Sequence, residues 1–434
     1  MSEKPSKDRN VFSSRNFRLV FFGALVSDLG AVLYSFAVGF NILEISGNNA
    51  FLQGLYLALC GVVLLILTPV GGVLGDRCDK AKIMFVCDYL KSGLILLATL
   101  FMLLFRESGA HIPILFAVGI LGSAVSGIFS PAAGALLPQI VEEQKLQQAN
   151  AYFSIKSALQ SIFGVVLAGV LYAVMRIQTL FIVVGLCYAA SGVSEMFIRC
   201  AHRPSEERLT IRLALSDMGE GLRYLSGQKA IMALMGASLF VNFFFVPVAN
   251  NFIPYFVKTD IANAPSYLFD RLLTPELWSS VFSVLIGVSS LAGSVILSAG
   301  AQKEKCGHQT ALRLCAMAGV VIALAAGYWL LVDRGVSLNG FLLLFCLGTL
   351  LIGFLIPLVN IPVSTVLMRV VDRDKLSKVS SITCVLSQGL IPIASVLAGA
   401  VLQGFGSAPL LFVCAAGFTV TALFLLLNRQ VRAI

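Results

Sequence analysis

Twelve apolar stretches, each long enough to cross a lipid bilayer, dominate this 434-residue sequence and leave few folds open to it. The hydrocarbon core is about 30 Å thick and a helix rises 1.5 Å per residue, so roughly 20 apolar residues make one crossing. The stretches lie near 17–40, 52–75, 82–105, 112–137, 147–174, 178–198, 230–257, 278–301, 309–332, 339–366, 377–402 and 408–428. Lipid cannot satisfy the backbone groups of an open strand, so each stretch is predicted to be a helix and the chain an all-α membrane protein. Only 12% of the residues are charged against 58% hydrophobic, too few to cover a water-soluble body of this size. The first stretch begins after a polar, basic segment and lacks a small-residue cleavage site, which predicts a spanning helix rather than a removable signal peptide.

The basic residues set the expected orientation. The net charge of +9 does not come from one polar domain, which argues against nucleic acid as a partner. Twenty-four of the 31 Lys and Arg residues fall on the side that holds both termini, and five (Arg106, Arg176, Lys258, Arg271 and Arg334) fall on the other. That asymmetry predicts a multi-pass protein of a bacterial cytoplasmic membrane with both termini in the cytoplasm. Seven of the ten cysteines lie inside apolar segments, and the other three lie at basic ends expected to face the reducing cytoplasm. Neither disulfide, metal site nor cofactor is predicted from them.

The polar segment 199–229 divides the spans six and six. It sets off a 1–16 cytoplasmic tail and a 17–198 bundle from a 230–428 bundle and a 429–434 tail. Within the loop, residues 216–225 can form a short interfacial helix or a plain linker. The halves echo each other: Pro131-Ala-Ala-Gly-Ala-Leu136 matches Pro362-Val-Ser-Thr-Val-Leu367, and Leu167-Ala168-Gly169 matches Leu397-Ala398-Gly399. Duplication into two pseudo-symmetric six-helix bundles, with a site between the repeats, is a transporter architecture.

Ionisable groups inside spanning helices cost several kcal/mol each and need a reason. Asp28 lies about 16 Å into the first helix, near the bilayer midplane, among Gly23, Ser27 and Gly30. It can bind a cationic group or carry a proton, or it can be a structural aspartate bonded to a neighbouring helix. Asp88 and Lys91 stand three apart on helix 3 and are expected to neutralise each other as a buried pair. Lys156, on helix 5, either meets a carboxylate or snorkels to the surface, with snorkelling expected. Glu195, at the end of helix 6, is expected at the interface. Tyr34, Asn242 and Asn360 are further candidates for lining a substrate path, and Asn242 has phenylalanines around it.

The segment Gly72-Val-Leu-Gly75-Asp76-Arg77-Cys-Asp79-Lys80-Ala81-Lys82 resembles the G-x-L-x-D-R-x-G-R-[KR] signature of the major facilitator superfamily. Asp79 stands at its second glycine and Ala81 at a basic position. That variant is similar to the macrolide-efflux and enterobactin-exporter branch. So are Arg15-Asn16-Phe17-Arg18, Leu146-Gln-Gln-Ala-Asn-Ala151, Ser216-Asp217-Met218 and Gly221-Leu-Arg-Tyr-Leu225. The resemblance implies the major facilitator fold, in which helices 1, 4, 7 and 10 line the central path. It also implies a cytoplasmic latch at Gly72, Gly75, Asp76, Arg77 and Lys80. Gly72 and Gly75 are expected to let two helices approach closely.

The glycine run of helix 5 has Val165 and Val166 where antiporters of this superfamily carry proline, so the resemblance to antiporters is incomplete there. The expected activity is proton-coupled export of a small amphipathic compound (drug, macrolide or siderophore-like) by a monomer. Transport of a lipid-like solute such as a lysophospholipid is the alternative. No nucleophile motif, phosphate loop or histidine–carboxylate cluster points to an enzyme or sensor.

Overall fold

The computed structural model describes residues 11–105, 108–142, 145–199, 223, 229–299, 307–370 and 387–428, and every regular element among them is a helix. The first six spans are α1 (Arg15–Ile45), α2 (Ala50–Arg77), α3 (Lys80–Leu104), α4 (Ser108–Ile140), α5 (Leu146–Leu159, carried on by Gln160–Gly164 and Val165–Val174) and α6 (Ile177–Met196). The next are α7 (Lys229–Pro247, carried on to Ile261), α8 (Pro275–Ala299), α9 (Gly307–Tyr328) and α10 (Leu338–Val370). The last are α11 (Ile391–Phe405) and α12 (Ser407–Leu427). Among the described residues, all of these but α11 are long and apolar enough to cross a membrane. The eleventh, α11, is described for 15 residues, and 377–386 of its expected range lie outside the described residues. Helix α1 starts before and ends after the expected 17–40, because backbone hydrogen bonding carries a helix past its apolar stretch into the polar interface.

By contacts the chain falls into two compact units, residues 1–37 with 63–211 and residues 38–62 with 212–434. Residues 38–62, the end of α1 and the start of α2, were expected in the first half by sequence and group with the second unit instead. Most of the 199–229 connection, including the possible interfacial helix at 216–225, lies outside the described residues.

In the first unit, small residues decide which helices meet. Gly185 of α6 lies against Leu96 and Gly192 against Tyr89, so α6 beds onto α3. Ser92 Oγ donates to the Gly185 carbonyl at 2.8 Å across that contact. Gly71 of α2 lies against Gly127 and Ile128 of α4, and a Cβ at Gly71 would fall onto the Gly127 carbonyl. No described residue stands within 4 Å of a Cβ at Gly72, whereas its neighbour Gly71 makes the close approach. One residue turns a helix by about 100°, enough to swing Gly72 off the contact.

Asp79 has a local structural role. Its carboxylate accepts the N–H groups of Ala81 and Lys82 at 3.1 and 3.4 Å and caps the start of α3. Lys80 is buried at the first turn. The side chains of Gly75, Asp76 and Arg77 lie outside the described set, and the expected latch with them.

In the second unit, buried Phe252, Phe256 and Phe341 pack on Tyr328, and buried Phe345, Phe282 and Trp278 continue the cluster. Helix α7 contains π-helical turns at Val248–Phe252 and Val257–Ile261. Pro254 lies between them and lacks an N–H, so the Asn250 carbonyl loses its usual helical donor. Gln53 of α2 supplies one, with Nε2 donating to that carbonyl at 3.3 Å. On the same stretch of α2, Gly54 lies against the Ser395 carbonyl and within 3.2 Å of the Gly399 Cα, counted from a built Cβ. The Ala50 N–H reaches Gln403 Oε1 at 2.9 Å. Residues 50–54 and α11 therefore cross almost backbone to backbone. Apolar side chains such as Val420 at 67% and Val295 at 65% exposure line outer faces that lipid covers.

Candidate functional site

Asp28 and Lys156 meet. In α1, Gly23 and Gly30 stand on one face seven residues apart, and both pack on α6: a Cβ at Gly30 would lie 3.1 Å from Cys187 Cβ, and one at Gly23 would lie 3.4 Å from Ser191 Oγ. With that face closed against α6, the Asp28 carboxylate pairs through Oδ2 with Lys156 Nζ of α5. The expectation that Lys156 snorkels is thereby corrected: its side chain is 6% exposed and its charge is met by an aspartate. A buried ammonium without a counter-charge would cost far more than the entropy of holding this pair. Lys156 Nζ also stands 5.0 Å above the Phe153 ring.

The Asp28 side chain is 40% exposed, so the pair has one closed and one open partner. Only Oδ2 is held by the lysine. A cationic group of a ligand, or a proton, can therefore compete with Lys156 for this carboxylate. Four residues beyond Lys156 the helix opens into a π-helical turn at Gln160–Gly164, and Gly164 lies against Val32 and Leu29 of α1. Such turns often mark functional sites because they widen a helix locally and free backbone groups. The bend expected from proline in antiporter-like helices is absent here, and this turn stands close to where it would fall.

Of the other expected residues, Tyr34 packs its ring on Phe181 of α6 at 5.5 Å. Asn242, in the second unit, donates Nδ2 to the Ser387 carbonyl at 3.2 Å and ties α7 to the segment before α11. Asn360 is exposed on α10 between Pro357 and Pro362. The structure groups Asp28 and Tyr34 in the first unit and the two asparagines in the second.

Asp88 and Lys91, expected as a buried pair, act on each other without a direct contact among the described ion pairs. Asp88 has no exposed surface, and neither of its carboxylate oxygens has a hydrogen-bond partner. Lys91 instead sets its Nζ over the rings of Phe129 and Tyr188, at 4.6 and 5.3 Å. Glu195, expected at the interface, is 0% exposed, and both its oxygens also lack a partner. In the second unit, Lys258 bridges Glu44 at 3.2 Å and Glu276 at 3.0 Å, a three-residue ion cluster that spacing in the sequence does not disclose.

The family model for the Major Facilitator Superfamily matches residues 20–390 of the chain. The uncharacterized MFS-type transporter YkuC of Bacillus subtilis (strain 168) is 26% identical over 309 residues, covering 68% of this chain and 67% of that protein. Macrolide efflux protein A of Streptococcus pyogenes is 22% identical over 238 residues, covering 54% of this chain and 58% of that protein. Among solved structures, an inward-facing bacterial homologue of the iron transporter ferroportin superposes with a TM-score of 0.70 at 16% identity, over 95% of this chain and 98% of that one. A D-xylose–proton symporter superposes with a TM-score of 0.67 at 14% identity, over 96% and 97% of the two chains. At these identities the structural likeness establishes the fold alone.

Proposed function

Because the chain belongs to the Major Facilitator Superfamily and is a multi-pass membrane transporter of small molecules rather than an enzyme, we propose that it exports a small amphipathic, cationic compound in exchange for protons. The observation that carries this reading is the half-open ion pair of Asp28 with Lys156. A protonated carboxyl cannot hold the lysine, and a cationic ligand replaces it, so proton and substrate exclude each other at one carboxylate. Mutual exclusion at a single charge is what obligatory exchange requires. The resemblance to macrolide efflux protein A, together with the aromatic and amide side chains near Asn242, supports an amphipathic substrate over a sugar.

The test is a ligand-stabilisation screen on purified wild-type protein and Asp28→Asn at pH 6 and pH 8. Its compounds are erythromycin, a catecholate siderophore, ethidium and a lysophospholipid. The expected result is that one cationic amphipath raises the melting temperature of the wild type, more at pH 8 than at pH 6, and leaves Asp28→Asn unmoved. The sign follows from competition: a proton on the carboxyl removes the charge that binds the cation. Equal stabilisation of both proteins at both pH values would show that Asp28 is structural and end the exchange reading.

A further inference from the structure

Asp88 and Glu195 are an unusual use of buried charge. They lie on α3 and α6, which pack together along much of their length in the first unit. Both are fully buried, and all four of their oxygens lack hydrogen-bond partners, as does Ser191 Oγ one turn before Glu195. The two carboxylates lie within electrostatic reach of each other and of Lys91. Among the described residues, the other titratable groups facing them are Cys87 of α3, Tyr188 of α6, and Asp28 of α1 with its partner Lys156 from α5. Tyr34 of α1 faces Tyr188, and α4 offers no titratable side chain except His111, at its opposite end.

Charge counting then limits the states available. Two carboxylates and one ammonium in an apolar interior carry a net charge of −1 with no proton bound, zero with one, and +1 with two. A charge left uncompensated in such surroundings costs several kcal/mol, so the neutral state is the one-proton state. From this geometry we propose that Asp88 and Glu195 share one exchangeable proton and form a second proton-binding site beside Asp28. Lys91 is their shared counter-charge. The reaction is simple association: one proton from water binds a carboxylate oxygen, and no other bond forms or breaks.

The place of the pair in the fold gives this proton an exit and a consequence. Glu195 is one residue from the end of α6, on the side that the basic residues assign to the cytoplasm, so its proton need cross little protein to reach water. The same turn of α6 is the one on which α1 rests at Gly23, five residues before Asp28. Asp88 is also within electrostatic reach of Asp28 itself. Loading or emptying the pair therefore alters the potential at the Asp28–Lys156 ion pair. This last step rests on the exchange reading above, whereas the shared proton does not.

The experiment separates the two. Infrared difference spectra of the full-length protein in lipid nanodiscs count protonated buried carboxyls by their C=O band as pH is stepped from about 5 to about 10. The expected result, read in Asp28→Asn so that Asp28 itself adds nothing, is a band worth one carboxyl that titrates within the range. Asp88→Asn and Glu195→Gln should each lose it, because one remaining carboxylate with Lys91 is already neutral. Lys91→Gln should double it, because neutrality then takes two protons; this reading survives if one of the carboxyl variants fails to fold. In the Asp28→Asn background, a band worth two carboxyls, no band at any pH, or a band that survives both carboxyl variants would overturn the proposal. Erythromycin export driven by a pH gradient into inverted vesicles is the second readout. If Asp88→Asn exports with the wild-type dependence on the gradient, the coupling role is lost while the proton count stands. If the wild type exports no erythromycin but Asp28→Asn shows the one-carboxyl band, the substrate assignment fails and the shared proton is upheld.

Discussion

The ion pair of Asp28 and Lys156 is asymmetric, and its two halves answer differently to substitution. Asp28→Asn leaves an ammonium stranded at 6% exposure, with an expected cost of about 1–3 kcal/mol after allowing for the water that reaches the pair. Lys156→Met leaves a carboxylate that is 40% exposed and can be hydrated, so its cost should stay below about 1 kcal/mol. The double variant should recover most of what Asp28→Asn loses. Thermal unfolding in detergent reads all three, and a Lys156→Met protein weaker than Asp28→Asn would contradict the geometry. Asp28 could be found in the sequence because an acid amid apolar residues stands out at midplane depth. Its partner could not, since nothing in a chain marks which of several lysines lies across from a residue 128 positions away. Glu195 was misplaced for a related reason: position near a helix end suggests water, and only the neighbouring helices show that the site is covered.

At the scale of helices, the sequence discloses lengths and depths better than faces. The apolar stretches mark the spans to within a few residues because the cost of exposing backbone to lipid ties helix length to bilayer thickness. Which side of a helix meets a neighbour depends on a rotation of about 100° per residue, so one residue of misjudgement is a different contact. Gly71 and Gly72 show it. Gly71→Ala must push α2 away from the Gly127 backbone and should cost about 1–3 kcal/mol, whereas Gly72→Ala meets open space and should be neutral or slightly stabilising. Comparing the melting temperatures of the two variants checks this directly. The substitution of Asp79 for the family's glycine, a departure on paper, is a helix cap in the fold. The missing proline of α5 gives way in the same manner to a π-helical turn, a feature that no residue type announces.

For the molecule as a whole, the asymmetry of basic residues predicts that both termini and the α2–α3 turn face the cytoplasm. Cys78 lies exposed in that turn and offers a test. In a protein retaining only this cysteine, a membrane-impermeant maleimide should label inverted vesicles and spare intact spheroplasts. The opposite pattern would reverse the orientation and, with it, the cytoplasmic exit given to the Glu195 proton. Family membership was legible in one loop signature together with twelve spans, because both are local in the chain. The grouping of residues 38–62 with the second unit was not, since it depends on contacts between segments far apart in sequence, such as Ala50 with Gln403.

The crossing of Gly54 and Gly399 bears on how such a sequence can drift. Where two backbones touch, no side chain of any chemistry is admissible, so these positions are closed to variation even though neither carries a functional group. Gly293 and Gly353 are closed in the same way, by the carbonyls of Phe354 and Ile286. Gly93, Gly122, Gly236 and Gly319 face no described residue within 4 Å, so alanine should be tolerated there. One residue type thus records two unrelated histories, and replacing each glycine in turn with alanine would print the helix crossings as a pattern of intolerance with no structure in hand.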